Sequence, residues 1–113
     1  MIISGKDRAF SLTIGASLSI AELCPDGDLE RLDEILTGNY AKVIPNVVSV
    51  VLALQKGGED ARALADPDYK PDYMTAAELM ALTPDEFKAV ENAAISAFNA
   101  DAATSIETTS KKK

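Results

Sequence analysis

The chain has 113 residues, Lys+Arg 11 against Asp+Glu 18, no His, and a formal net charge of −7, with a pI near 4.4. This length makes one domain with a modest core, and at 47% hydrophobic and 5% aromatic residues that core is mostly aliphatic. The acidic balance argues against binding a nucleic-acid backbone, which requires a basic face. Without His there is no Ser-His or Cys-His pair.

The N-terminal stretch MIISGKDRAFSLTIG predicts a β-hairpin over about 1–14. Ile2 and Ile3 favour a strand, Gly5-Lys6-Asp7 can turn, and Phe10, Leu12 and Ile14 alternate with Ser11 and Thr13. A two-stranded ribbon is marginal alone, so it must pack on helices. A helix over about 16–24 follows and is stopped by Pro25. Asp28 can cap the next, over about 28–36, with Leu29, Leu32, Ile35 and Leu36 as its apolar face.

The longest apolar run is Tyr40 to Gln55. Tyr40, Val43, Ile44, Val47, Val48, Val51, Leu52 and Gln55 repeat at helical spacing, predicting a central helix over about 40–55 with Asn39 as cap and Gly57-Gly58 as stop. The four valines between 47 and 51 favour a strand instead, but length and period favour helix. Pro45 sits either in tolerated early turns or at a kink. The run is too short and interrupted to cross a bilayer, so no membrane partner is expected.

Residues 56–73 are polar, with Glu59 to Ala65 a candidate short helix and the two prolines of 66–72 marking a loop. Thr75 and Glu78 form a capping-box pattern opening a helix over about 75–82. Thr83-Pro84-Asp85-Glu86 opens the last helix, over about 84–99. Residues 101–113 lack periodicity and end in Lys111-Lys112-Lys113, the composition of a disordered tail. The expected fold is therefore α+β and mostly helical: a short hairpin packed on four to five helices over residues 1–100, then a tail.

No chemistry assembles from these residues. There is no HExxH, CxxC, GxGxxG or GxxxxGK. Asp26, Asp28 and Glu30 alternate like the start of a calcium loop, but the glycine is at 27 and Leu36 lies near where the closing Glu belongs. Cys24 is alone and lacks a His base, which fits a small core residue in a reducing compartment. The expectation is a non-enzyme with no catalytic residue, metal or cofactor, and no visible signal peptide.

The order of the segments, with the phrases CPDGDLERL, the Leu36–Tyr40 junction and MTAAELMALTPDEFKAVENAAISAF, resembles the tail assembly chaperones of long-tailed phages and prophages over about residues 8–100. Pro45 inside the central helix departs from that pattern. The resemblance implies a protein of the bacterial host's cytoplasm, absent from the mature virion. It would bind the tape measure protein and keep it soluble while tail tube subunits polymerise. Some proteins of this kind also have a longer, frameshifted form that recruits the tail tube protein, and a run of adenines encoding Lys111–Lys113 would be such a slippage site. Holding would work helix-in-groove, with an acidic rim meeting basic client segments. The expected partner-binding residues are Val47, Val50, Val51, Leu54, Phe87, Val90 and Phe98, each of which could equally fill the core; Val50 lies off the apolar stripe. Exposed apolar faces of this sort also favour a homo-oligomer. The competing readings are another small acidic adaptor, or a virion structural or morphogenesis protein.

Overall fold

A computed structural model describes residues 1–3 and 5–110, with side chains described as far as residue 102. Two short strands, β1 (Ile2–Ile3) and β2 (Lys6–Asp7), pair antiparallel with Ile2 opposite Asp7 and Ile3 opposite Lys6. Five α-helices follow: α1 (Ile14–Leu23), α2 (Leu32–Ile35), α3 (Tyr40–Ala65), α4 (Ala76–Met80) and α5 (Pro84–Ser110). Two 3-10 turns, Pro25–Gly27 and Leu29–Arg31, lead from α1 into α2. The fold is mostly helical with a small N-terminal hairpin, as the sequence implies.

The caps form largely as the residue types dictate. The side chain of Thr13 accepts from Ala16 N, Asp28 from Glu30 N, Asn39 from Lys42 N and Thr75 from Glu78 N. At α5 the capping box is complete: Thr83 Oγ1 accepts from Glu86 N at 3.3 Å while Glu86 Oε1 accepts from Thr83 N at 2.9 Å. At α4 only half of it forms, because the Glu78 carboxylate turns to Arg8, 3.1 Å away.

The central helix is the main correction. α3 passes through Gly57-Gly58 and ends at Ala65, absorbing the separate short helix expected after the glycines. The two glycines serve close approach. The extended segment over residues 9–13 crosses α3 there, and Ser11 N donates to Leu54 O at 3.0 Å. A Cβ at Gly58 would lie 2.6 Å from the Ala9 carbonyl oxygen, and one at Gly57 would run into the Ser11 carbonyl oxygen. Each glycine costs a helix interior about 1 kcal/mol relative to Ala. The contact with the crossing backbone offsets that cost, so a glycine pair that reads as a stop sits mid-helix.

The same crossing explains the second correction. The expected outer strand through Phe10, Leu12 and Ile14 is absent: the hairpin partner is Lys6–Asp7, and residues 8–13 run without strand assignment. Their alternation survives only in part. Phe10 and Leu12 pack half-buried against the core, whereas Ile14 begins α1 and is 79% exposed. Pro45 lies within α3 at an exposed position. It deprives the Ala41 carbonyl of its helical donor, but Ala41 is exposed too, so water can serve it.

α3 is flanked by α1 and α5, with α4 a lesser neighbour. Its buried residues Val47, Val48, Val50, Val51, Leu54, Gln55, Gly57, Gly58 and Glu59 cover roughly 200° of the helix at about 100° per residue. Ile20 of α1, Leu79 of α4, and Val90 and Ala94 of α5 close the core around it, with Ile3, Cys24, Leu32 and Met74. α5 continues beyond its expected end near Asn99. The expected tail begins within this helix, and Lys111–Lys113 lie outside the described residues.

Candidate functional site

A half-open groove of about 620 Å³ runs along one side of the molecule. Leu12 to Ser17 form one wall, Leu29 to Leu36 the second, and Ile95 to Ala102 of α5 the third. Its apolar lining is Leu12, Ile14, Leu29, Leu32, Leu36, Ile95, Phe98 and Ala102. Of these Leu32 is buried, Ile14 is exposed and the rest are half-buried. Sequence position alone does not place these segments together. The 3-10 turns return the chain so that α2 packs against α1, and α5 reaches the same groove with residues 95–102.

A polar contact ties two of the walls. Asp101 Oδ2 accepts from Leu12 N at 2.8 Å, joining the late part of α5 to the segment ahead of α1. α5 contributes Val90 and Ala94 to the buried core. Leu18, 61% exposed and one turn beyond Ile14, extends the apolar surface past the groove's edge.

The charged lining is one-sided. Glu30, Asp33 and Asp101 line the groove, with no Lys or Arg among the described lining residues. The neighbouring Arg31 is occupied elsewhere, 2.7 Å from Asp26 and 2.7 Å from Glu34. Its hydrogen bonds hold the Glu34 carboxyl below the usual carboxylate range.

Of the seven residues expected to bind a partner, five are interior. Val47, Val50, Val51, Leu54 and Val90 are between 0% and 3% exposed. They are occupied by the chain's own core, including Val50, whose place off the stripe suggested a free face. The stripe is wider than the pattern implied because α3 is covered by α1 and the 9–13 segment as well as by α4 and α5. Phe87 and Phe98 are half-buried, and Phe98 alone of the seven lines the groove. The residues missed are Leu12, Ile14, Leu29, Leu36 and Ile95. Each is apolar at a plausible core position, and only the tertiary arrangement leaves them partly uncovered.

A second cluster is structural. Gln55, Glu59 and Arg8 are 0%, 2% and 2% exposed, and all three hold the loop over 66–75. Gln55 donates to Asp72 O at 2.9 Å and accepts from Met74 N at 2.9 Å. Glu59 Oε1 accepts from Tyr69 Oη at 2.6 Å and from Asp72 N at 2.8 Å. Arg8 donates to Asp72 O at 2.7 Å and to Glu78 Oε2 at 3.1 Å. Most of these buried polar atoms are bonded; among the described residues Arg8 Nε and Glu59 Oε2 lack a hydrogen bond, the latter lying 3.6 Å from Arg62 Nη1, and the network fixes the loop beside the buried Met74.

The remaining candidates resolve into ordinary roles. Asp28 caps the turn after it and Asp26 pairs with Arg31, so two of the three calcium-like acids serve local structure, while Glu30 lines the groove. Among the described residues no group of three or more His, Cys, Asp or Glu side chains could hold a metal ion. Cys24 is buried, its thiol facing the Ile20 carbonyl at 3.4 Å, and burial pushes its pKa up, away from a reactive thiolate. Among the described residues no helix is long and apolar enough to cross a membrane.

Comparison of the chain with protein-family models, with curated proteins and with solved structures finds no match in any of the three.

Proposed function

We propose that the chain is a tail assembly chaperone of a long-tailed phage or prophage, which holds the tape measure protein in soluble form during tail tube assembly. The observation that carries this reading is the open apolar groove with carboxylates in its lining. Such a surface suits a long helical client that aggregates through its own apolar face. Holding needs no catalytic group and no nucleotide. The apolar floor covers the client's ridge, and the net charge of −7 keeps the complex in solution. The segment order and the phrases from CPDGDLERL to the α5 sequence supply the phage assignment by resemblance. The host's cytoplasm as the place of action, absence from the virion, and recruitment of the tail tube protein through an extended form belong to the same proposal.

Co-expression with the tape measure protein encoded nearby, followed by a pull-down from the soluble fraction, tests it. The client should become soluble and travel with this chain. A client that stays insoluble beside a folded chain would overturn the assignment, and recovery of the chain from purified virions would favour a structural component instead.

A further inference from the structure

The groove also says what chemistry its occupant should have. We propose that it takes an amphipathic helix whose apolar ridge is flanked by Lys or Arg, and that the carboxylates select for those flanks; this rests on the client-holding reading above.

Two observations carry the inference. The floor offers aliphatic and aromatic surface from three walls, Leu12 and Ile14, Leu29 and Leu36, Ile95 and Phe98, a trough for a ridge of side chains spaced i, i+3/i+4, i+7. Among the described residues the titratable groups facing it are Glu30, Asp33 and Asp101, all carboxylates, drawn from two different walls. The ordinary alternative is that these are solvated helix-start acids. Elsewhere, however, acids close to cations are paired with them: Arg31 with Asp26 and Glu34, Lys56 with Asp60, Lys6 with Asp72. Among the described residues that line the groove there is no cation to pair with. An apolar occupant with neutral or acidic flanks would partly desolvate these carboxylates without compensation, which works against binding. Basic flanks meet them at the rim, where complementary charge speeds encounter and fixes register. Asp101 is already positioned, since one of its oxygens accepts from Leu12 N.

The test uses the full chain, 15N-labelled, and two synthetic amphipathic peptides with the same Leu ridge, one flanked by Lys and one by Glu. At low ionic strength the Lys-flanked peptide should bind about tenfold or more tighter, and the gap should shrink as salt is raised. Shift changes should centre on Leu12, Leu36, Ile95 and Phe98. The double variant Glu30→Gln/Asp33→Asn, checked for unchanged circular dichroism, should bring the two affinities to within about threefold. Equal affinities in the native chain would overturn the charge selection. Shifts centred on α4 or the hairpin, or no binding of either peptide, would overturn the groove as the site. Concentration-dependent shifts of the groove residues without peptide would also overturn it, making a second copy of the chain the occupant. Co-expression with the tape measure protein separates the two levels: a client kept soluble by a chain that ignores the Lys-flanked peptide leaves the chaperone reading standing and removes this one.

Discussion

Replacing Gly58 with Ala sets two physical effects of opposite sign against each other. In a helix interior Ala is favoured over Gly by about 1 kcal/mol, so propensity alone makes Gly58→Ala stabilising. The structure reverses the sign. The added Cβ would sit 2.6 Å from the Ala9 carbonyl oxygen and 2.9 Å from its carbonyl carbon, both backbone atoms that cannot rotate away. The 9–13 segment must therefore move, at an overpacking cost of roughly 1–3 kcal/mol. The bond from Ser11 N to Leu54 O, worth about 1 kcal/mol, is strained or lost with it. The net expectation is destabilisation by about 1–3 kcal/mol, and Gly57→Ala should behave alike because its Cβ meets the Ser11 carbonyl. Gly15→Ala is the control. It lies in α1, and its Cβ would find only Thr13 Oγ1, at 3.9 Å. That change should be neutral or stabilise by up to about 1 kcal/mol. Urea unfolding followed by circular dichroism measures all three. A Gly58→Ala protein as stable as Gly15→Ala, or more stable than the native chain, would refute the crossing of the 9–13 segment over α3.

Three further outcomes follow from named contacts. Glu59→Ala should cost about 2–4 kcal/mol in urea unfolding, because it strands the Tyr69 hydroxyl and the Asp72 amide; Glu59→Gln, which keeps an acceptor, should cost clearly less. Val50→Glu puts a carboxylate at a position 2% exposed, so it should unfold the chain by several kcal/mol, whereas a folded variant that has merely lost client binding would contradict the core assignment. Asp72 is held below its usual pKa chiefly by its bond from Lys6, Asp60 by Lys56 and then Tyr73, and Glu86 by the Thr83 backbone N–H. A folded-state pKa that is depressed adds stability above the unfolded value, near 4, and that stability is lost as pH falls through the folded values; a thermal-melting series flat from neutral pH to below pH 4 would contradict it.

Much of the fold was legible in the sequence because caps are local. Thr13 was the exception, read as part of a strand, whereas Asp28, Asn39, Thr75 and Thr83 mark helix starts where the structure has them. The failures have a common cause in tertiary contact. Gly57-Gly58 has the chemistry of a helix stop, and nothing within a few residues reveals that a distant backbone crosses there. Phe10, Leu12 and Ile14 alternate like a strand, but the 9–13 segment bonds to a helix carbonyl in place of a neighbouring strand. Val50 lies off any single apolar stripe, but α3 is covered from several directions. The groove was the least legible part. Leu29, Leu36 and Ile95 have core spacing, and only the fold decides that they stay partly uncovered.

The proposed place for a client is the groove between α1, the 29–36 segment and α5. Hydrogen–deuterium exchange of the chain, alone and in complex with the tape measure protein, reads this directly. Slowed exchange on complex formation is expected over residues 12–18, 29–36 and 95–102. Protection confined to the hairpin, α4 or the 66–75 loop, with those three segments unchanged, would contradict it.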